Sequence, residues 1–388
     1  MKKVLVLGGG FAGLEAAIFL RKNDYDVTLV SDRDYFYIYP TSIWIPVHKA
    51  DFGDVTIDMG ELSRVHGFKF VKDRVEAIHA ERGEVVLGKQ VIRGFDHLVV
   101  AIGASKVKHE GIEHTLSICG EPKQALLMRQ RLDALVEKGH GKIAMGFGGN
   151  PKDSTGVRGG PAFEMLFNVH DMLKRKGVRE RFELTFFAPM EKPGARLGEQ
   201  ALEMMDLFFK KLDIHRHFGK KILRFEADAI LFEDESRLES DFTMFIPANA
   251  GHPVFKSSDL PLTDAGFVKI DDHCRVQGFD NVWAIGDSAA IDGPDWRAKQ
   301  GHIAEVMARN TAHNIQVTDS GEGEMLGYLH HLNILCVMDS GDGAAFVYRD
   351  DKRGLMIPMP FIGHWLKKGW GWYCKNSKLE KIPRLPGL

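Results

Sequence analysis

Gly8, Gly10 and Gly13 stand in G-x-G-x-x-G spacing directly after the uncharged run Val4-Leu5-Val6-Leu7. That spacing allows a tight turn at the first glycine, admits a pyrophosphate beside the second and brings helix close to strand at the third. Asp32 follows the apolar stretch Asp26 to Ser31, 19 residues after Gly13. A carboxylate there accepts ribose hydroxyls. Strand, glycines, helix, second strand and acid in this order predict a dinucleotide site. Two further strand ends carry polar chemistry: Gly103 closes His97 to Ile102, and Gly286-Asp287 closes Val282 to Ile285. Cys119, Cys274, Cys336 and Cys374 lack close pairs, so neither a zinc site nor a disulfide scaffold is indicated, and no metal is expected.

The elements that position these groups follow from periodicity. Val4 to Leu7 reads as a parallel strand buried on both faces, and Leu14, Ala17, Ile18 and Leu20 mark an amphipathic helix behind the glycines. Tyr35 to Trp44 is dense in aromatics and is expected in the core. Residues 68 to 105 read as short strands, and 120 to 138 has helical spacing. Lys142 to Asn150 begins like a second dinucleotide strand and turn, but its glycines stand at 146, 148 and 149 and residue 151 is proline. A long polar loop then precedes a helix near Ala162. Lys299-Gln300-Gly301 is expected to open a helix running to about Ile315, whose N-terminal amides favour negative charge.

Composition excludes several classes. The 388 residues allow two or three domains, and a net charge of −2 argues against nucleic acid as a partner. Met1-Lys2-Lys3 leads at once into the core, so no signal peptide is expected. No apolar run approaches the roughly 20 residues of a membrane-spanning helix. The final segment changes character: residues 361 to 388 hold six Lys or Arg against one Glu and include Phe361, Trp365, Trp370 and Trp372. Interleaved aromatic and basic residues favour a lipid interface, which predicts a short interfacial anchor.

Together the fingerprint, Ile102-Gly103 and Ala284-Ile285-Gly286-Asp287 resemble the disulfide-reductase superfamily of flavoproteins with two dinucleotide domains. Within it the chain is most similar to the sulfide:quinone oxidoreductases. The matching segments are Tyr35-Phe36 with Pro40 and Trp44, Ser117-Ile118-Cys119, Gly160 to Glu164, and Asn333 to Cys336 with Gly341 to Phe346. The resemblance implies an α/β chain with two Rossmann-like domains and a flavin-facing, membrane-associating C-terminal segment. An FAD-binding domain of residues 1–105 and 251–330, a second Rossmann-like domain of 106–250 and a quinone-facing region of 331–388 are expected. FAD is the implied cofactor, with Gly8, Gly10, Gly13, Asp32, Pro40, Gly103, Gly286, Asp287 and Lys299 around it. Sulfide or a related sulfur donor, a quinone and a membrane surface are the implied partners. The implied location is cytoplasmic, peripherally associated with the inner face of the membrane, and a homo-oligomer is left open.

The sulfur chemistry departs from the resemblance. Cys336 and Cys119 stand at two family positions, but Arg158 stands where the second member of the cysteine pair is expected. Lys123 and Arg196 stand where many relatives have histidines. Arginine forms no persulfide, binds anions and is expected to lower the pKa of a nearby thiol. Catalysis is therefore assigned to Cys336, Cys119 and Arg158, while Cys274 and Cys374 are read as core residues. A type II NADH:quinone oxidoreductase and a noncatalytic flavoprotein that has lost the cysteine pair are the alternatives. A secreted sulfide dehydrogenase is disfavoured because no export signal is evident.

Overall fold

A computed structural model describes residues 1–385; residues 386–388, the end of the expected quinone-facing region, lie outside them. The structure is a mixed α/β fold. Its first sheet has five parallel strands in the order Val282–Ala284, His97–Val100, Lys3–Leu7, Asp26–Ser31 and Lys69–Lys72. Val4 to Leu7 is fully buried, as a strand covered on both faces must be. Leu7 lies opposite Val30 and Val100, which aligns three strand ends at the glycine turn.

The turn itself is a steric solution. Gly8 has φ +111°, and a Cβ there would sit 2.1 Å from the Ala101 carbonyl oxygen. A Cβ on Gly13 would sit 1.8 Å from the Gly8 carbonyl oxygen. Helix α1, Phe11–Lys22, therefore lies against the strand it follows.

A second parallel sheet runs His215–Phe218, Phe182–Ala188, Gly141–Phe147, Phe242–Ile246. Helix α2, Gly160–Arg175, covers it, with Phe163 stacked on Phe186. Between strand and helix lies the long loop expected from the misplaced glycines, and it folds back on the chain. Asn150 donates through Nδ2 to the Asn249 carbonyl at 2.9 Å, and a Cβ on Gly156 would lie 2.5 Å from the same oxygen.

Helix α3 spans Gly301–Ser320, so Lys299 precedes it instead of opening it, and it continues past Ile315. The expected helix at 120 to 138 begins at Gln124. A three-stranded antiparallel sheet of Ile334–Asp339, Gly343–Arg349 and Gly354–Pro360 then leads to helix α4, Ile362–Lys378. The expected aromatic core is present: Phe36, Tyr37 and Trp44 are buried.

Substituting Gly13→Ala should destabilise the protein by about 3 kcal/mol or more, because the added methyl meets backbone that cannot move aside. Urea unfolding of wild type and variant measures it.

Candidate active site

One cavity of about 1460 Å³ lies between the strand ends of the first parallel sheet, the loop leading into α2, the C-terminal antiparallel sheet and α4. That exceeds the roughly 300–1,000 Å³ typical of small-molecule sites, leaving room for a dinucleotide and a further ligand. Its lining includes Gly8, Gly10, Asp32, Pro40, Gly103, Gly286, Asp287 and Lys299. Cys119, Arg158, Cys336 and Trp370 line it too. Gly13 lies behind the turn, and Phe361, Trp365 and Trp372 are outside the lining and exposed.

The fingerprint end suits a dinucleotide. Gly10 caps α1 with nothing within 4 Å of where its Cβ would be, so the turn is open toward the cavity. Helix N-terminal amides there are free to receive phosphate oxygens. At the neighbouring strand end the Gly103 N–H donates to Ser288 Oγ at 2.9 Å, tying the Gly103 and Gly286 turns together.

Asp287 is the centre of the next wall. Its Oδ2 accepts from Arg158 and from Asn249 Nδ2 at 3.2 Å, while Lys299 Nζ donates to its backbone oxygen at 3.1 Å. Burial opposes ionisation of Asp287, but Arg158, Lys299 and Lys106 outweigh it and hold the carboxyl below its ordinary range. Lys299 is 6% exposed and lies 3.1 Å from the Phe267 ring centre. Burial pushes its ammonium down to about 7 against the pull of Asp287.

The thiols do not behave as expected of cysteines beside an arginine. Burial pushes Cys119 up, and Lys106 and Arg158 oppose without prevailing. Cys336, in the strand Ile334–Asp339, is pushed up to about 12 by burial and by Glu164, with Lys367 opposing. Arg158 is committed to Asp287 and is not among the charges acting on Cys336. Cys274 and Cys374 are buried as expected, though Cys374 also borders the cavity.

The basic surplus of the C-terminal segment is mostly consumed inside the molecule. Lys367 pairs with Glu164, both nearly fully buried. Lys378 pairs with Glu15 at 3.1 Å and Glu305 at 2.7 Å, and Arg384 reaches Glu15 at 2.5 Å. Lys381 lies 3.9 Å from Glu61. Asp339, completely buried, accepts from Trp44 Nε1, Asn168 Nδ2 and the Gly341 N–H and pairs with His364 Nδ1 at 2.6 Å. These contacts seat α4 with Lys367, Trp370, Cys374 and Lys378 toward the cavity.

Sequence reasoning missed Glu15, Lys106 and Lys367 and met Glu164 only inside a matching segment. A signal existed for two of them. Glu164 lies between Phe163 and Met165 on an apolar helix, and Lys367 shares helical spacing with Trp370 and Cys374.

Known proteins agree with this architecture. The family model described as pyridine nucleotide-disulphide oxidoreductase matches residues 2–313. The chain belongs to that family. The sulfide-quinone reductase of Aquifex aeolicus (strain VF5) is 28% identical over 410 residues, covering 97% of this chain and 92% of that one. A type II NADH:quinone oxidoreductase of Staphylococcus saprophyticus is 23% identical over 380 residues, covering 91% of each. The crystal structure of the sulfide:quinone oxidoreductase from Aquifex aeolicus superposes with a TM-score of 0.87 at 24% identity, covering 98% of this chain and 92% of that one. The flavoenzyme fold and the FAD cofactor expected from the sequence are borne out, and the chain is an FAD-dependent oxidoreductase. No helix among the described residues is long and apolar enough to cross a membrane.

Burial pushes Glu15 up, but Lys378, Arg384 and Arg309 together pull it down to about 2 from an ordinary 4.5. A depressed carboxylate stabilises the fold fully above its unfolded value, so this contribution should fade as pH drops from about 4.5 and vanish below about 2. Glu15→Gln should lose about 3 kcal/mol at pH 7 and lack that acid limb, as read from urea unfolding across pH.

Proposed function

We propose that this flavoenzyme passes two electrons from sulfide or a related sulfur species to a membrane quinone, with Cys336 carrying the sulfur. One observation carries the reading: Cys336 and Cys119 open onto the same cavity as the fingerprint turn and Trp370. When bound, FAD supplies the two-electron chemistry that neither thiols nor lysines provide alone.

In this reading residues 1–105 with 251–330 hold the cofactor. Gly8, Gly10 and the α1 N-terminus receive its diphosphate, Asp32 its ribose, and Pro40, Gly103, Gly286 and Asp287 border the rest. Lys299 and the N-terminus of α3 favour negative charge at their end of the cavity. Forming an S–S bond between Cys336 and the donor sulfur releases two electrons and the thiol protons, for which bound FAD would be the acceptor. Cys336 would react as the thiolate, and Cys119 would take the outer sulfur as the resolving thiol. The buried Glu164–Lys367 pair supplies the charges that act on Cys336, Glu164 raising its thiol and Lys367 opposing. Residues 106–250 contribute Arg158, and 331–388 form the quinone side.

The outer face of α4 supports peripheral attachment to the inner face of the membrane. Phe361, Ile362, Trp365 and Trp372 are each more than 60% exposed. Lys368 lies 5.3 Å from the Trp365 ring centre, a basic group at the edge of an aromatic patch. Liposome flotation should lose the protein when Phe361, Trp365 and Trp372 are all replaced by serine. Point substitutions are required because truncation would also strip Glu15 and Glu164 of their partners.

NADH is the second reading, favoured by the likeness to the staphylococcal enzyme. Against it, the second glycine turn departs from the fingerprint, and the loop after it folds back onto Asn249 through Asn150 and Gly156. Anaerobic mixing decides: sulfide should bleach the flavin absorbance and NADH should not. Bleaching by NADH alone would replace the proposal with the second reading, and bleaching by neither would favour a noncatalytic flavoprotein. Cys336→Ser should abolish the sulfide response. In wild type its rate should climb by up to about tenfold per pH unit between pH 7 and 9 as the thiolate forms.

A further inference from the structure

We propose that Lys106 and Arg158, beside Cys119, form an oxyanion subsite on the donor side of the cavity, so that the donor is a sulfur compound carrying an oxyanion head. The inference deepens the sulfur-donor reading and rests on it.

Charge balance on this wall is the first argument. Lys106 lies in the short strand Ser105–Lys106, paired with Asn249–Ala250, and its Nζ donates to Asn249 Oδ1 at 2.7 Å. Among the described residues it makes no salt bridge, although burial already pulls its ammonium below the ordinary range. Arg158 has one acceptor among the described residues, Asp287, which takes one of the five N–H donors of a guanidinium. Asp287 is also the acid facing Lys106 and Lys299. Asp153 also acts on Lys299, so at this wall, among the described residues, Lys106 and Arg158 have only Asp287 between them, joined to it through Asn249 and directly. Half-buried positive charge in excess of its acids is unfavourable. An anion from the cavity removes the deficit.

Geometry selects the kind of anion. Hydrosulfide offers a single atom, whereas the planar fork of Arg158 engages two oxygens of a carboxylate, sulfonate or thiosulfate, with Lys106 adding a point charge. Lys106 and Arg158 are also the cations that act on the Cys119 thiol. An oxyanion held by them brings its own sulfur to the wall where the missing second cysteine would have stood.

Two sources share this chemistry, an inorganic sulfur oxyanion and a carboxylated thiol. The FAD-loaded enzyme, with the cofactor's own phosphates in place, is titrated anaerobically at pH 7 with thiosulfate and with mercaptoacetate, following the flavin difference spectrum. Cysteamine, a thiol with a positive charge, is the control. At least one anion should saturate, with Arg158→Met and Lys106→Met each raising its Kd about tenfold or more, and cysteamine should give no saturable change. Saturation by thiosulfate alone assigns the inorganic source, and saturation by mercaptoacetate alone the organic one. Arg158→Lys, which keeps the charge without the fork, should fall between wild type and Arg158→Met. It carries the test with Lys106→Met if Arg158→Met loses FAD. Absence of saturation by either anion below 10 mM, or Kd values unchanged in variants that retain FAD, would overturn the subsite. Sulfide bleaching without anion binding refutes the subsite alone, whereas anion binding without bleaching by any sulfur donor refutes the sulfur-donor reading alone.

Discussion

Charge buried beside the cavity has to be matched by charge, and much of the molecule is arranged to meet that condition. Glu15 on α1 is met by Lys378, Arg309 and Arg384, and Glu164 on α2 by Lys367. Asp339, at the end of a strand, is met by donors from three other segments. All three carboxylates find a partner on or just beyond the C-terminal helix. Its inner face is therefore fixed by ion pairs and hydrogen bonds, and its outer face is left free to carry large apolar side chains without any need for them in the core.

What could be read in the sequence divides along this line. The glycine turn, the parallel strands and the position of Asp287 were legible because each follows from local sterics or periodicity within a few tens of residues. The fate of the C-terminal lysines was not. Counted along the chain they form a basic field, but Lys378 finds Glu15 363 residues away and Lys367 finds Glu164 203 residues away. No local pattern encodes such a pairing. Arg158 failed for the same reason: its type was read correctly as anion-seeking, but the anion proved to be Asp287, 129 residues on, and not a thiolate. Lys299 was placed at the start of a helix that begins two residues later, and its side chain turns back to the Asp287 carbonyl.

The same burial that demands paired charge keeps sulfur protonated. Cys119, Cys336, Cys274 and Cys374 all have thiols pushed above their ordinary range. A protonated thiol resists adventitious oxidation, so a redox site can remain reduced until a donor or a change in its charged neighbours releases the proton. Control then lies with the carboxylates and lysines of the wall more than with the cysteines themselves.

The pairing of Glu15 with Arg384 has a temporal side. These residues are 369 positions apart. At roughly 5–20 residues per second, a ribosome takes on the order of 20 to 70 s to pass from one to the other. For most of that interval α1 carries an acid whose partners Arg309, Lys378 and Arg384 do not yet exist, and the first sheet also waits for Val282–Ala284. The first sheet, although it begins the chain, therefore reaches its final packing only late in synthesis.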